Sequence, residues 1–258
     1  VWRQLLEIYA YREMLKNLVA KELKVRYKGS VLGFLWTFFN PLLTLVVYSI
    51  VFSFIMRVQI EHYSVFLFVG LLPWNYLAAS ALMGVNSIVA GGGLVKKTHF
   101  PREILPLSVV LANLINYLLS LLILIPGLLI VKIPITAAIL AFPLILLAQT
   151  IFVSGLALLL SAVNVYFRDL EHITGVLMMA WFFFTPVIYP FEMIPEHFRS
   201  LFMLNPLVHV ARAYQDVFFY HSFPDWVSLG CFTIGSIIFF GVSLAVFGRL
   251  QRSFAELI

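Results

Sequence analysis

Few residues of this sequence stand in patterns that could do chemistry, and each pattern breaks at a required position. The segment GGGLVKKT at 91–98 comes nearest to a phosphate-binding loop. Gly91, Lys97 and Thr98 fit GxxxxGK[ST], but Lys96 stands where the second glycine is required. A side chain there would crowd the backbone amides that have to cradle phosphate, and no buried strand precedes the segment. His62, His99, His172, His197, His209 and His221 stand apart without metal-ligand spacing, and neither HExxH nor GxSxG occurs. His197 beside Glu196 and Arg199 is the one modest cluster, which a solvated helix face explains. No acidic pair of the DxD type supports a glycosyltransferase. The lone Cys231 lies in an apolar run, where it suits a small core residue and offers neither a disulfide framework nor a thiolate metal site. The sequence therefore nominates no catalytic residue and no metal ligand.

The elements around these residues explain why. Hydrophobic residues make up 62% of the chain and charged residues 11%, with a mean hydropathy of +1.00, far from the balance of a soluble domain. A formal charge of +5 could suit nucleic acid, but the basic residues gather beside the ends of apolar segments, as membrane orientation requires. No nucleic-acid partner is expected. No short apolar run with a small-residue cleavage site opens the sequence, so the first span is expected to act as its own targeting signal.

With about 20 apolar residues needed to cross a bilayer, six spans are expected at 34–56, 64–88, 105–130, 135–163, 173–189 and 226–247. All should be helices, because lipid offers the backbone no other partner. An even count puts both termini on one side. Arg3, Arg12, Lys16, Lys21, Lys24, Arg26, Lys28, Lys96, Lys97, Arg102, Arg168, Arg249 and Arg252 fall there, against Arg57, Lys132, Arg199 and Arg212 opposite. That asymmetry makes the first side cytoplasmic. Ahead of the spans, residues 1–33 form a cytoplasmic piece in which Leu15, Leu18, Val19 and Leu23 recur at helical spacing among lysines, the pattern of an interfacial helix.

Residues 190–225 separate spans five and six and are too apolar for a disordered loop. Pro195 opens one short helix, and Asn205–Pro206 supplies an N-cap and a first-turn proline for a second. Leu207, Val210, Ala211, Tyr214 and Phe218 then repeat at three- and four-residue steps. Two helices dipping into the outer leaflet fit better than two further spans, since each charge would cost about 2.5–3.5 kcal/mol at mid-bilayer. Prolines at 41, 73, 126, 143 and 186 invite bends within spans; Pro73 and Pro186 lie among aromatic residues, where bends would shape a central passage.

No Asp, Glu, Lys, Arg or His falls inside any of the six spans. A carrier driven by protons usually needs such a group within the membrane, and ion selection by charged rings needs one too. If transport is active, its energy must arrive from the cytoplasmic face. Two connections there have the makeup of docking elements: GGGLVKKTHFPR at 91–102 and YFRDLEH at 166–172, aromatic knobs flanked by charge. Solvated loops with snorkelling basic residues remain the plainer account of both.

Five segments resemble a known family. They are KELKVRYKGSVLGFLWTFFNPLL (21–43), KKTHFPREILP (96–106), NVYFRDLEHI (164–173), FFFTPVIYP (182–190) and LNPL (204–207). Together they are similar to the membrane subunits of type-2 ABC exporters of lipid-linked polysaccharide, of the O-antigen or teichoic-acid kind, and closest to O-antigen permeases. The resemblance implies an all-α integral membrane protein of six transmembrane helices, with an N-terminal interface helix and a reentrant helical pair at 190–225 as an outer gate. It implies a homodimer in the bacterial inner membrane joined to two copies of a separate ATPase subunit, which binds ATP and magnesium; this chain would hold no cofactor of its own. Lys16, Lys21, Lys24, Arg26 and Lys28 would lie on the interface helix. Lys96, Lys97, Thr98, His99, Phe100, Pro101 and Arg102 would couple to the ATPase, with Tyr166, Phe167, Arg168, Asp169 and Glu171 as a second contact.

A translocating glycan would slide past aromatic rings that stack weakly on sugar faces. Trp36 with Phe39, Tyr48 with Phe52, and Trp181 with Phe184, each pair about one helical turn apart, are the candidates to line its path. Interfacial anchoring is the competing use of such residues. A drug exporter of the same family, or a passive channel or scaffold, are the alternative functions.

Overall fold

In the computed structural model, residues 2–55, 60–130, 132, 134 and 136–257 are described, and they hold helices and no strands. Met56, Arg57 and Ile135 lie outside them, so the end of the first expected span and the start of the fourth are not described. Four helices are long and apolar enough to cross a membrane: α4 (Tyr63–Gly84), α7 (Ile104–Ile130), α8 (Phe142–Tyr166, led in by the 3-10 turn Ala137–Ala141) and α12 (Trp226–Leu250). Two apolar helices are shorter, α3 (Trp36–Ser49, running on into the π turn Ile50–Ile55) and α9 (Leu170–Phe183).

The remaining helices cap the two ends of this bundle. At one end, called here the basic end, lie α1 (Trp2–Ala10), α2 (Arg12–Tyr27), α5 (Ser87–Ala90), α6 (Gly92–Lys97) and α13 (Phe254–Leu257). At the far end lie α10 (Glu196–Phe202) and α11 (Pro206–Phe218). The side chain of Asn205 caps α11 by accepting from the amide of Leu207 at 3.0 Å, with Pro206 at the first turn, as the sequence predicts. Leu207, Val210, Ala211, Tyr214 and Phe218 all turn inward and are buried.

Two of the five prolines expected within spans do not lie in a helix interior. Pro41, Pro73 and Pro126 do lie inside helices. Pro143 instead starts α8, where its missing N–H is an orphan anyway. Pro186 lies beyond the end of α9, and its carbonyl accepts from the Gln215 side chain at 2.7 Å. The fifth span accordingly ends at Phe183 as a helix, short of the expected 189. Cys231 is exposed on α12 and is not a core residue.

Helix pairing inside a bilayer gains little from hydrophobic burial, because lipid tails are as apolar as leucine, and close approach and buried polar bonds must do more. Both are present. A Cβ on Gly155 would stand 3.0 Å from the Phe240 Cα, so α8 and α12 pack closely enough that a larger residue would have to push them apart by a few tenths of an ångström. Gly70 of α4 likewise meets the Val187 carbonyl, where a Cβ would stand 2.8 Å away. At the centre, Tyr214 donates to Gln149 Oε1 at 2.7 Å and Gln149 donates to the Pro73 carbonyl at 2.8 Å, a buried chain joining α11, α8 and α4.

Candidate functional site

The basic end brings together the three stretches that the sequence singles out. On α2, Leu18 and Val19 are buried against the bundle while Lys16, Lys21, Lys24 and Lys28 are exposed. Lys16 also donates to Glu13 at 2.9 Å, and this bond together with its charge holds the Glu13 carboxyl below its ordinary range. α6 sits on a separate apolar cluster through Val95, which packs with Leu18, Ile104, Leu105 and Phe254. Its far surface presents Lys96, Lys97, Thr98 and His99 to the outside. A crevice of about 300 Å³ runs between these elements, lined by Lys21 of α2, Gly91 at the root of α6, and Glu171 of α9. One concave surface thus has walls from the helix, the first connection and the second.

Gly91 fixes how α6 stands there. A Cβ at this position would meet Leu105 Cδ1 at 2.8 Å and the Ser87 carbonyl at 3.0 Å, whereas one on Gly93 would meet nothing within 4 Å. The second connection is held by its tyrosine: Tyr166 donates to the Leu250 carbonyl at 2.8 Å and its ring packs on Phe254. Phe167, Arg168, Asp169 and Glu171 remain exposed. These side chains can bind a partner's surface; among the described residues no group of three or more His, Cys, Asp or Glu could hold a metal ion.

Phe100, Pro101 and Arg102 behave differently from their neighbours. All three are half-buried, and Phe100 packs against the apolar cluster. The Arg102 guanidinium donates to the Gln251 carbonyl and stands over the Phe254 ring. Glu103, buried beside it, accepts from both Gln4 and Gln251 at 3.1 Å. Arg102 therefore ties the first connection to the C-terminal segment of its own chain. Arg26 also turns inward from α2: its Nη2 donates to Asn113 Oδ1 of α7 at 2.7 Å and to Met83 Sδ of α4 at 2.9 Å. A charge thus reaches the bundle from a helix outside the spans.

The aromatic candidates divide in the same way. Phe39 and Phe184 are exposed, Phe184 by 60%, and so are open to an external ligand. Trp36 donates to Ser30 Oγ at 3.1 Å and sets its ring edge-on to Phe39. Tyr48 and Phe52 stack at 6.0 Å and continue to Phe182 and Tyr63 inside the subunit. Trp181 is half-buried, donates to Asn205 Oδ1 at 2.8 Å and meets the edge of Phe152. It holds α9 to α11, and Asn205 completes the joint by donating to the Phe184 carbonyl at 2.9 Å and to Thr185 Oγ1 at 3.2 Å.

At the far end, burial raises the Asp216 carboxyl to about 6, with Arg212 opposing the shift and Glu192 and Asp225 adding to it. Asp225 caps α12 and is held low by the hydroxyl of Ser228 and the amide of Val227.

A polar cleft lies beside α3, α4 and α7. Asn40, Asn75 and Asn113, from three different apolar helices, face one cleft of about 470 Å³ beside Arg26 and Tyr117. Asn40 and Asn75 are each the one asparagine of their helix, and Asn113 is followed by Asn116 one turn on, which lines the same cleft; only the fold reveals that the three helices bring them together.

Four long apolar helices, a buried amide network and charged surfaces confined to the ends define an all-helical integral membrane protein whose exposed side chains suit docking. Residues 13–219 match the ABC-2 type transporter family, and the chain belongs to that family. It is 42% identical over 253 residues, 97% of each chain, to the O-antigen export system permease protein RfbA of Myxococcus xanthus. A protein of the same description from Klebsiella pneumoniae is 37% identical, covering 95% of each chain. The polysialic acid transport protein KpsM of Escherichia coli is 23% identical over 92% of this chain and 93% of its own.

Proposed function

We propose that this chain is the membrane subunit of an ATP-driven exporter of lipid-linked polysaccharide of the O-antigen kind, moving it from the cytoplasmic to the outer face of the bacterial inner membrane. The observation that carries this is the similarity, over nearly the whole of both chains, to permeases named for O-antigen export. Residues 1–33 act as an interface helix and 34–258 as a six-span domain with both termini cytoplasmic; α3 and α9 serve as the two shorter spans, and residues 190–225 form a reentrant outer gate. Two copies assemble with two copies of a separate ATPase, which docks at the crevice between α2, α6 and the start of α9. ATP-driven closure pushes on α6, and the bundle passes that motion to a passage between the two copies. The exposed rings of Phe39 and Phe184 are the best placed to meet the glycan. The apolar cluster beneath α6 supports this reading, because it gives a pushed helix a firm base.

The test is genetic and biochemical together. A strain lacking the chain should lose surface polysaccharide and regain it with the wild-type copy, and an ATPase should copurify in mild detergent. Export that persists in the deletion strain, or a purified chain that conducts solute passively with no ATPase bound, rejects the proposal.

A further inference from the structure

The asparagine-lined cleft is open to the outside: Asn40 and Asn75 are exposed on α3 and α4, two helices without a charged residue. An amide facing hydrocarbon has no hydrogen-bond partner, so, with α3 and α4 as spans in the reading above, this polar surface calls for water or a polar ligand against it. The same three helices form a second cleft of about 400 Å³, lined by Leu42, Phe68, Leu124 and Gly127 with Ser64 as its sole polar side chain. The two are neighbours along every wall. Ser120 and Ile123 of α7 are one turn apart, as are Leu72 and Phe68 of α4, with one of each pair in each cleft.

The geometry points to a single groove for an amphiphile with a polyhydroxylated phosphate head and a long hydrocarbon tail. The head lies against Asn40 and Asn75, whose exposed amides can both donate to and accept from hydroxyls, and Trp36 offers a ring to the sugar; Asn113 is buried behind them and holds Arg26 in place, and Tyr117 is covered by the stacked ring of Tyr76. Among the described residues of the lining Arg26 is the one cation, suited to phosphate through a guanidinium with five donors, of which Nη2 makes the two protein contacts described above. The tail lies in the apolar cleft. In the orientation proposed above, the head is toward the cytoplasmic side and the tail points outward, which is how an inner-leaflet lipid stands. The inference rests on that reading for its occupant, the lipid-linked glycan waiting to be exported; a bulk anionic glycerophospholipid shares the same chemistry.

The experiment uses the chain with its ATPase partner in nanodiscs and, as probe, a diazirine-tagged long-chain prenyl diphosphate bearing one N-acetylglucosamine. Saturable labelling of peptides 36–44, 72–82 and 113–120 is expected. The double variant Asn40→Leu/Asn75→Leu, altering two exposed positions, should lower it at least tenfold. Ile123→Trp, which fills the tail cleft, should do the same, with thermal stability checked for both. Labelling that survives tenfold excess phosphatidylglycerol identifies the glycan-linked lipid as the occupant, and labelling displaced by it identifies bulk anionic lipid; either supports the groove. Unsaturable labelling spread over all exposed helices, or labelling unchanged in both variants, overturns it. Glycan export is scored alongside: a complex that exports but never labels the groove removes this inference alone, and one that labels but exports nothing removes the functional reading alone.

Discussion

The two ends of the molecule are built on opposite plans. At the far end several polar side chains are spent joining the chain to itself: Asn205 joins Trp181, Phe184, Thr185 and Leu207, Gln215 holds the Pro186 carbonyl, and Arg199 binds the carbonyls of Glu192 and Ile194, while Glu192, Glu196 and His197 stay exposed. At the basic end, Lys96 and Lys97 stand exposed on α6, whose apolar underside is seated on a buried cluster, and Arg168 and Glu171 stand exposed just before and at the start of α9. An end that satisfies itself can hold a shape without help, whereas an end with uncommitted charge on a rigid base is suited to being held by something else. Exposed ion pairs contribute little to stability in any case, so these charges are free to serve recognition.

The contrast breaks most visibly at Asn205. Asn205→Ala removes a helix cap and leaves the Trp181 indole without its acceptor, together costing about 3 kcal/mol, a factor on the order of a hundred in the local folding equilibrium. Hydrogen exchange of residues 184–220 should speed up accordingly, and the basic end should be unaffected. Equal destabilisation at both ends would mean that they are not separate units. Trp181→Ala should follow Asn205→Ala, while Phe184→Ala should lower glycan export with assembly intact, because the Phe184 side chain makes one ring contact, with Phe202.

At the basic end the expected pattern is reversed. Lys96→Glu with Lys97→Glu should leave thermal stability within about 0.5 kcal/mol, as surface changes do, yet lower ATPase capture at least tenfold. Arg102 sharpens the point. Its guanidinium is bound to Gln251 and Phe254, so Arg102→Glu should lower stability as well, and a stability loss equal to that of the lysine pair would show that the two kinds of basic residue do not differ.

How far the sequence revealed this division depends on what kind of signal each part carries. The long apolar helices announce themselves by length and composition, and the cap at Asn205 by its proline neighbour, because these are local features. Whether a proline sits inside a helix or at its edge is decided by packing, and Pro143 and Pro186 ended up at edges. Charge type alone could not separate Arg102 from Lys96, six residues away, since the distinction lies in where the Gln251 carbonyl arrives from the other end of the chain. The same limit hid the cleft: Asn40, Asn75 and Asn113 are unremarkable singly, and nothing local states that three helices turn them toward one space.

A smaller effect is expected at the root of α6. Gly91→Ala must displace Leu105 or the turn after Ser87, whereas Gly93→Ala enters open space and gains helix propensity of roughly 0.5–1 kcal/mol. ATP-driven export should fall a few-fold in the first variant and hold or rise slightly in the second. Equal behaviour of the two would show that the seating of α6 does not matter to transmission.

The smallest effect is expected at Asp216, at the far end. Asp216 is half-buried near Arg212, Glu192 and Asp225, and burial raises its carboxyl from 3.8 to about 6. The folded state therefore holds the proton more tightly than the unfolded chain, so the contribution to stability is fully present below about 3.8 and is lost as pH rises through about 6. Amide exchange in 206–220, corrected for its intrinsic pH dependence, should show protection falling between pH 4 and pH 6 and levelling above. Asp216→Asn should flatten that slope, because a neutral amide has nothing to ionise. His209 lines the same crevice, so His209→Gln serves as the control and should leave the slope in place; if it abolishes the slope instead, the histidine carries the effect. A wild-type profile that is level throughout would show that water reaches Asp216 freely, and that the far end is less completely sealed than its amide bonds imply.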